Sequence, residues 1–233
     1  MSTTILTRNT VGEIVANDFR TASLFKESGI DFCCGGDKSL TEVCEEKGIS
    51  FTQFVRQIDL LTQNPISDNQ NFKEWELPFL CDYIMNTHHR FVLKNLHELV
   101  FYTQKIADVH RENHPELTEV ASLFLQINEE LLQHLKKEEE ILFPAIKLAF
   151  TSPSKENNET IVSEITRMQG EHEFAGGAMD RINVLTNHYF IPEDACNTYR
   201  VAFRLLEQFE DDLHIHVHLE NNILYPKALK SAE

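Results

Sequence analysis

One eleven-residue pattern occurs twice in this chain, as His134-Leu-Lys-Lys-Glu138-Glu-Glu-Ile-Leu-Phe-Pro144 and as His216-Val-His-Leu-Glu220-Asn-Asn-Ile-Leu-Tyr-Pro226, both reading H-x3-E-x2-I-L-[FY]-P. Residues four apart on an α-helix lie one above the other, so each copy sends an imidazole and a carboxylate to the same side. Apolar residues advance by three or four through both copies: Ile127, Leu131, Ile141 and Ala145 around the first, Ala202, Phe209, Leu213 and Ile223 around the second. Each His/Glu pair therefore interrupts a stripe that must face a core. A fold either gives the two carboxylates a common partner or buries them bare, at a cost of several kcal/mol each.

His89 and His172 precede the two copies by nearly equal distances, so the repeating unit is a helix hairpin with a period near 82 residues. His172 interrupts the stripe Ile165, Met168, Ala175, Met179, Ile182, and His89 interrupts Met85, Val92, Leu96. Periodicity alone does not choose between His89 and its neighbour His88, which lies near Ile84, Phe91 and Val92; the repeat spacing selects His89. Helical periodicity fills four long blocks, broken at 110–115, 151–158 and 186–193, with no strand-like alternation. At about 1.5 Å per residue these are rods of roughly 40–50 Å, and their short connections make sequential neighbours antiparallel. The expectation is an all-α chain with an antiparallel four-helix bundle over 75–233.

Residues 1–63 read as a small helical domain with capping-box starts at Thr10/Glu13, Ser39/Glu42 and Ser50/Gln53. Within it, Gly29-Ile-Asp-Phe-Cys33-Cys34-Gly35-Gly36-Asp37 is a loop in which the paired glycines suggest positive φ. A polar linker is expected over 64–74.

A lone histidine in a core is ordinarily a hydrogen-bonded packing residue. The two buried glutamates decide otherwise, because a cation between them removes their desolvation cost. The expected ligands are His89, His134, Glu138, His172, His216 and Glu220. Six N/O donors without thiolate disfavour a closed structural zinc site, and calcium or magnesium asks for more oxygen. Carboxylates on facing helices can each join two ions, which with imidazole points to two irons shared through Glu138 and Glu220. Glu130 and Glu171 are candidates to orient those ligands, although ordinary surface acids are the commoner case. His214 and His218, rotated off the face of His216, are expected in solvent; His97, His110, His114 and His188 have no expected role at the centre. No catalytic residue is assigned, but Cys33 and Cys34 stand out as free thiols whose pKa a nearby helix start would lower, making them nucleophiles or soft ligands. Cys44, Cys81 and Cys196, on helical segments, are expected to pack.

With 21 Lys+Arg against 37 Asp+Glu the net charge is −16, which excludes a broad electrostatic footprint for nucleic acid or anionic lipid. No stretch approaches the roughly 18 apolar residues of a spanning helix, and the first residues lack the apolar run of a signal peptide. A cytoplasmic protein with reduced cysteines is expected.

Residues from about 75 onward resemble the hemerythrin-like bundles through His89, His134-x3-Glu138, His172 and His216-x3-Glu220. Together with Asp31-Phe-Cys33-Cys34-Gly-Gly, nearly the whole chain resembles the repair-of-iron-centres family. That resemblance implies an oxo-bridged, non-haem di-iron centre. It also implies a stress-response role in restoring iron-sulfur clusters damaged by nitric oxide or peroxide, by supplying iron to the damaged proteins. A small diatomic such as nitric oxide or oxygen is the implied ligand, and a homodimer stays open. The alternatives are a di-iron nitric oxide or peroxide reductase and an oxygen or redox sensor. Oxygen-carrying hemerythrins place a further ligand one turn after the position of His172; here Gly176 stands there, followed by Gly177, so an open space and a more labile metal are expected.

Overall fold

A computed structural model describes residues 9–63 and 71–232, so the start of the chain and most of the expected linker (64–70) lie outside the described residues. The described residues are helical throughout, with no strand and no helix long and apolar enough to cross a membrane.

The small unit contains α1 (Val11–Asn17), α2 (Ala22–Glu27), α3 (Leu40–Lys47) and α4 (Phe51–Leu61). Thr10 and Ser39 form the expected capping boxes with Glu13 and Glu42. Ser50 caps α4 without a side-chain bond, so its pairing with Gln53 does not form; burial of Phe54, Val55 and Ile58 holds that helix instead. No start signal announced α2, which comes after a short turn capped by the Asp18 carboxylate. Ile14, Phe25, Leu40, Phe54 and Ile58 form a core of their own.

The bundle has four rods. The first is α5 (Leu77–Ile84) and α6 (Arg90–His110), the second α7 (Glu116–Lys137) and α8 (Phe143–Thr151), the third α9 (Lys155–Leu185) alone, and the fourth α10 (Asn197–Leu219) and α11 (Tyr225–Ala232). Three rods are joined in mid-course by a wide π-helical turn, at Met85–His89, Glu138–Leu142 and Glu220–Leu224. Each such turn inserts one residue into the helical ladder and rotates the residues beyond it, a distortion common at functional sites. Ile141, placed in the buried stripe by regular periodicity, is 42% exposed while Leu142 and Phe143 are buried; its repeat counterpart Ile223 is buried as expected.

Several boundaries differ from expectation. α9 begins at Lys155 because Ser154 caps it through Asn157 N at 3.2 Å, so the break expected at 151–158 shrinks to three residues. Phe72, expected in the linker, is buried edge-on against Phe19 and Trp75. Cys196 precedes α10 and is exposed rather than packed.

The bundle core is split in two. Leu96, Phe124, Phe203 and Phe209 belong to one cluster, Leu80, Phe143, Met168 and Tyr225 to another. On every rod the His and Glu residues fall between these clusters, so the polar layer has apolar packing above and below it. The small unit docks on the fourth rod, where α1 meets the turn Glu220–Leu224.

Candidate metal centre

The wide turns bring the ends of three rods into one layer, and α9 completes it with His172. Two four-residue groups result: His89, Glu138, His216 and Glu220, and His134, Glu138, His172 and Glu220, each with its donor atoms within 4.8 Å of one another. Both carboxylates belong to both groups. Glu138 Oε2 lies 3.3 Å from Nε2 of both His89 and His134. Glu220 divides its oxygens, Oε1 facing His216 Nε2 at 3.0 Å and His89 Nε2 at 3.7 Å, Oε2 facing His172 Nε2 at 3.2 Å. The remaining Glu138 oxygen, Oε1, accepts the Tyr225 hydroxyl at 2.6 Å. All six side chains are buried.

Three of the four imidazoles are oriented from outside. Nδ1 of His89 meets Glu139 Oε1, that of His134 meets Glu171 Oε2, and that of His172 meets Asn221 Oδ1, all at 2.9 Å. Glu139 and Asn221 each directly follow one of the repeated glutamates, so the duplication extends to this outer layer. Glu171 serves His134 across the bundle rather than its neighbour His172, and Lys137 holds its other oxygen. His88 occupies the repeat position of Glu171 but turns its Nδ1 to Asp212 Oδ1 at 3.0 Å and stacks on His216, 5.8 Å between ring centroids, so His216 Nδ1 is left without a partner.

These contacts fit a cation better than they fit protons. With Nδ1 of His134 and His172 donating outward, their Nε2 lone pairs face one another at 3.1 Å. Nε2 of His89 and Oε2 of Glu138 and Glu220 are likewise buried without hydrogen-bond partners. Buried polar atoms in this condition are rare, and cations at the two groups satisfy all of them. Burial opposes charge on His89 and His134, but Glu138 with Glu220, and Glu138 with Glu171, override it and lift both to about 10. Burial and Glu220 work to raise the Glu138 carboxyl, and the adjacent imidazoles hold it low all the same. A cation entering this layer displaces those imidazolium protons. Because Glu171 fixes His134 without touching the other donors, Glu171→Gln is expected to weaken metal binding about 10- to 100-fold, read by competition with a chelator, with the helical spectrum unchanged.

The Cys33-Cys34 loop lies directly over this layer. Asp31 shapes it, its carboxylate accepting from the backbone N–H of Cys33, Cys34 and Gly35 at 2.8, 3.1 and 2.7 Å. Gly35 and Gly36 do not adopt positive φ, contrary to expectation; among the described glycines only Gly29 and Gly48 do. The glycine requirement is close approach, since a Cβ on Gly36 would stand 2.8 Å from the Phe32 carbonyl and 2.9 Å from Asn222 Oδ1. Asn222 donates to the carbonyls of Phe32 and Cys33, and the Cys34 thiol donates to the His172 carbonyl at 3.5 Å. The space expected beside Gly176 is taken by the Cys34 thiol, which a Cβ there would meet at 3.1 Å. The thiols are free with sulfurs 3.9 Å apart, and Cys34, burial and Asp31 push the Cys33 thiol up rather than down.

Of the other expectations, Glu130 is exposed and orients nothing. His218 is fully buried and His214 partly so, because Phe32 of the small unit packs edge-on against both. Sequence reasoning missed Glu139, Asn221 and Tyr225; the repeat position after each glutamate was the available signal for the first two.

Residues 82–228 match the family described as the hemerythrin HHE cation binding domain. Residues 7–62 match ScdA_N, described as a domain of unknown function (DUF542). The chain is 31% identical over 223 residues to the iron-sulfur cluster repair protein ScdA of Staphylococcus haemolyticus, spanning 96% of this chain and 99% of that protein. It is 33% identical over 220 residues to the iron-sulfur cluster repair protein YtfE of Pectobacterium atrosepticum, spanning 94% and 96%.

Proposed function

Because this chain belongs to the hemerythrin HHE cation-binding family and, over nearly its whole length, to the family of iron-sulfur cluster repair proteins, we propose that it repairs damaged clusters by supplying iron held at this centre. The observation that carries the proposal is the sharing of Glu138 and Glu220 between two His/His/Glu/Glu groups. His89 and His216 would hold one iron, His134 and His172 the other. Bound there, the pair supplies one-electron redox chemistry and a small store of labile iron.

The surrounding residues perform separate tasks. Glu139, Glu171 and Asn221 keep three imidazoles turned inward, so that the donor set is in place before metal arrives. Tyr225 holds one Glu138 oxygen, leaving the other for both groups. Gly176 supplies no side chain to the layer and admits the Cys34 thiol, which puts a soft donor beside the His172 backbone. On this reading Cys33 and Cys34 receive the iron passed on to a damaged iron-sulfur protein, and the small diatomic that damages the cluster is bound at the same centre.

The test has two arms. Protein expressed with ample iron is expected to hold about two irons per chain and to absorb in the near ultraviolet. It should restore a nitric oxide-treated iron-sulfur dehydratase with loss of its own iron, and the Cys33→Ala, Cys34→Ala double variant should keep the iron but repair poorly. Folded protein without metal overturns the di-iron reading; equal repair by the double variant overturns the thiol route alone.

A further inference from the structure

A cavity of about 750 Å³ lies between the small unit and the bundle, lined by none of the six residues of the centre. Within it α9 and α10 present Asp180, Glu210 and His214, whose donor atoms lie within 4.8 Å of one another. Glu210 is 3% exposed and accepts one hydrogen bond, from Asn183 to Oε2 at 3.0 Å. His214 packs edge-on against Phe32 and spends neither ring nitrogen on a hydrogen bond within the described residues.

A second observation points the same way. Tyr189 lines this cavity at 7% exposure, and its hydroxyl, enclosed beside Glu210 and Asn183, makes no hydrogen bond of good geometry. A polar atom enclosed at that depth calls for a ligand or an ordered oxygen. The lysines at the rim form no ion pair with the acids within: Lys26 pairs with Asp211 and Lys38 with Glu46, while Lys26 bears on Glu210 and Lys47 on Asp180 only from beyond ion-pair distance. Burial lifts the Glu210 carboxyl to about 7, outweighing the opposite pull of Asn183, Tyr189 and Lys26.

We propose that Asp180, Glu210 and His214 form a third cation site, distinct from the shared-carboxylate pair, which takes one divalent first-row transition ion. Two carboxylate oxygens and one imidazole nitrogen suit Mn(II) or Fe(II) better than softer ions. The Tyr189 hydroxyl stands ready to bond a water carried by that ion. Asp180 and His214 also line the smaller pocket, about 280 Å³, that contains Cys33 and Cys34, so an ion held here is one pocket away from the thiols. The site rests on its own residues and not on the repair reading.

Mn(II) alone is the probe. Full-length protein carrying its iron is titrated with Mn(II), and the decline of the free-ion six-line paramagnetic signal counts the ions bound. One additional, magnetically isolated Mn(II) per chain is expected, with affinity about tenfold or more weaker in Asp180→Asn and in Glu210→Gln and unchanged in the exposed control Glu130→Gln. Asp180 is exposed, so its amide variant removes a ligand without disturbing the core. Glu220→Gln should keep this Mn(II) while losing the paired ions, which separates failure of one site from failure of the other. No additional equivalent, an equivalent bound alike by all variants, or an ion coupled to the iron overturns the proposal.

Discussion

Replacing Glu220 with glutamine is expected to empty both cation positions at once. One oxygen of Glu220 faces His89 and His216 and the other faces His172, so the carboxylate belongs to both groups. An amide keeps the shape but offers one weak oxygen donor and turns an N–H2 toward the cation. Loss of an outer orienting group costs about 10- to 100-fold in affinity. Loss of a shared charged ligand should cost more, leaving under about a tenth of the wild-type metal after desalting, by elemental analysis. In the metal-free fold the change removes a partner that helps hold His89 charged, and breaking a buried ion pair from one side is destabilising. The melting temperature of the metal-free variant is therefore expected to lie below that of metal-free wild type. A variant that retains both ions would show that the glutamate is not shared.

Gly36→Val is expected to have the largest effect on stability. Phe32, Asn222 and Gly12 surround Gly36, with the Phe32 carbonyl and the Gly12 backbone on two sides, so a side chain has nowhere to move. The backbone bond from Gly12 N–H to the Gly36 carbonyl, 2.7 Å, ties the start of α1 to the same spot. Overpacking of this kind costs about 1–3 kcal/mol, or roughly 2–12 °C in melting temperature for a chain of this size. The distinguishing sign is local. Asn222 would lose the loop carbonyls, the Cys34 thiol would leave Gly176, and its reaction with a thiol reagent should accelerate by about tenfold or more. Unchanged thiol reactivity would mean that the loop does not depend on this contact.

The architecture was readable because its determinants are periodic: spacing of three and four along four blocks, and a pattern that occurs twice. The same regularity hid the rest. Ile141 and Ile223 hold the same position in the repeat and in its π turn, yet Ile141 is exposed and Ile223 buried, so spacing alone does not decide burial there. His214 and His218 were assigned to solvent because their covering, Phe32, comes from a separate unit some 180 residues earlier, and local spacing carries no information about docking. Glu171 was a candidate to orient a ligand, but its partner was not legible, since it adjoins His172 in sequence while the rods bring it to His134. The Cys33 thiol was expected to be acidified by a helix start, but the neighbouring Cys34, burial and the charge of Asp31 push it the other way.

The wide turns bear on any attempt to transplant this centre. Each places a glutamate at its first residue or a histidine at its last, so the proposed ligands sit where the ladder changes pitch. A designer who copied the six side chains onto straight, idealised helices would keep their spacing yet misdirect every packing residue downstream. Deleting one residue from such a turn, as with Glu139, would regularise the helix and swing the remainder of the rod by about 100°. The irregularity is thus part of the blueprint, to be carried over with the ligands.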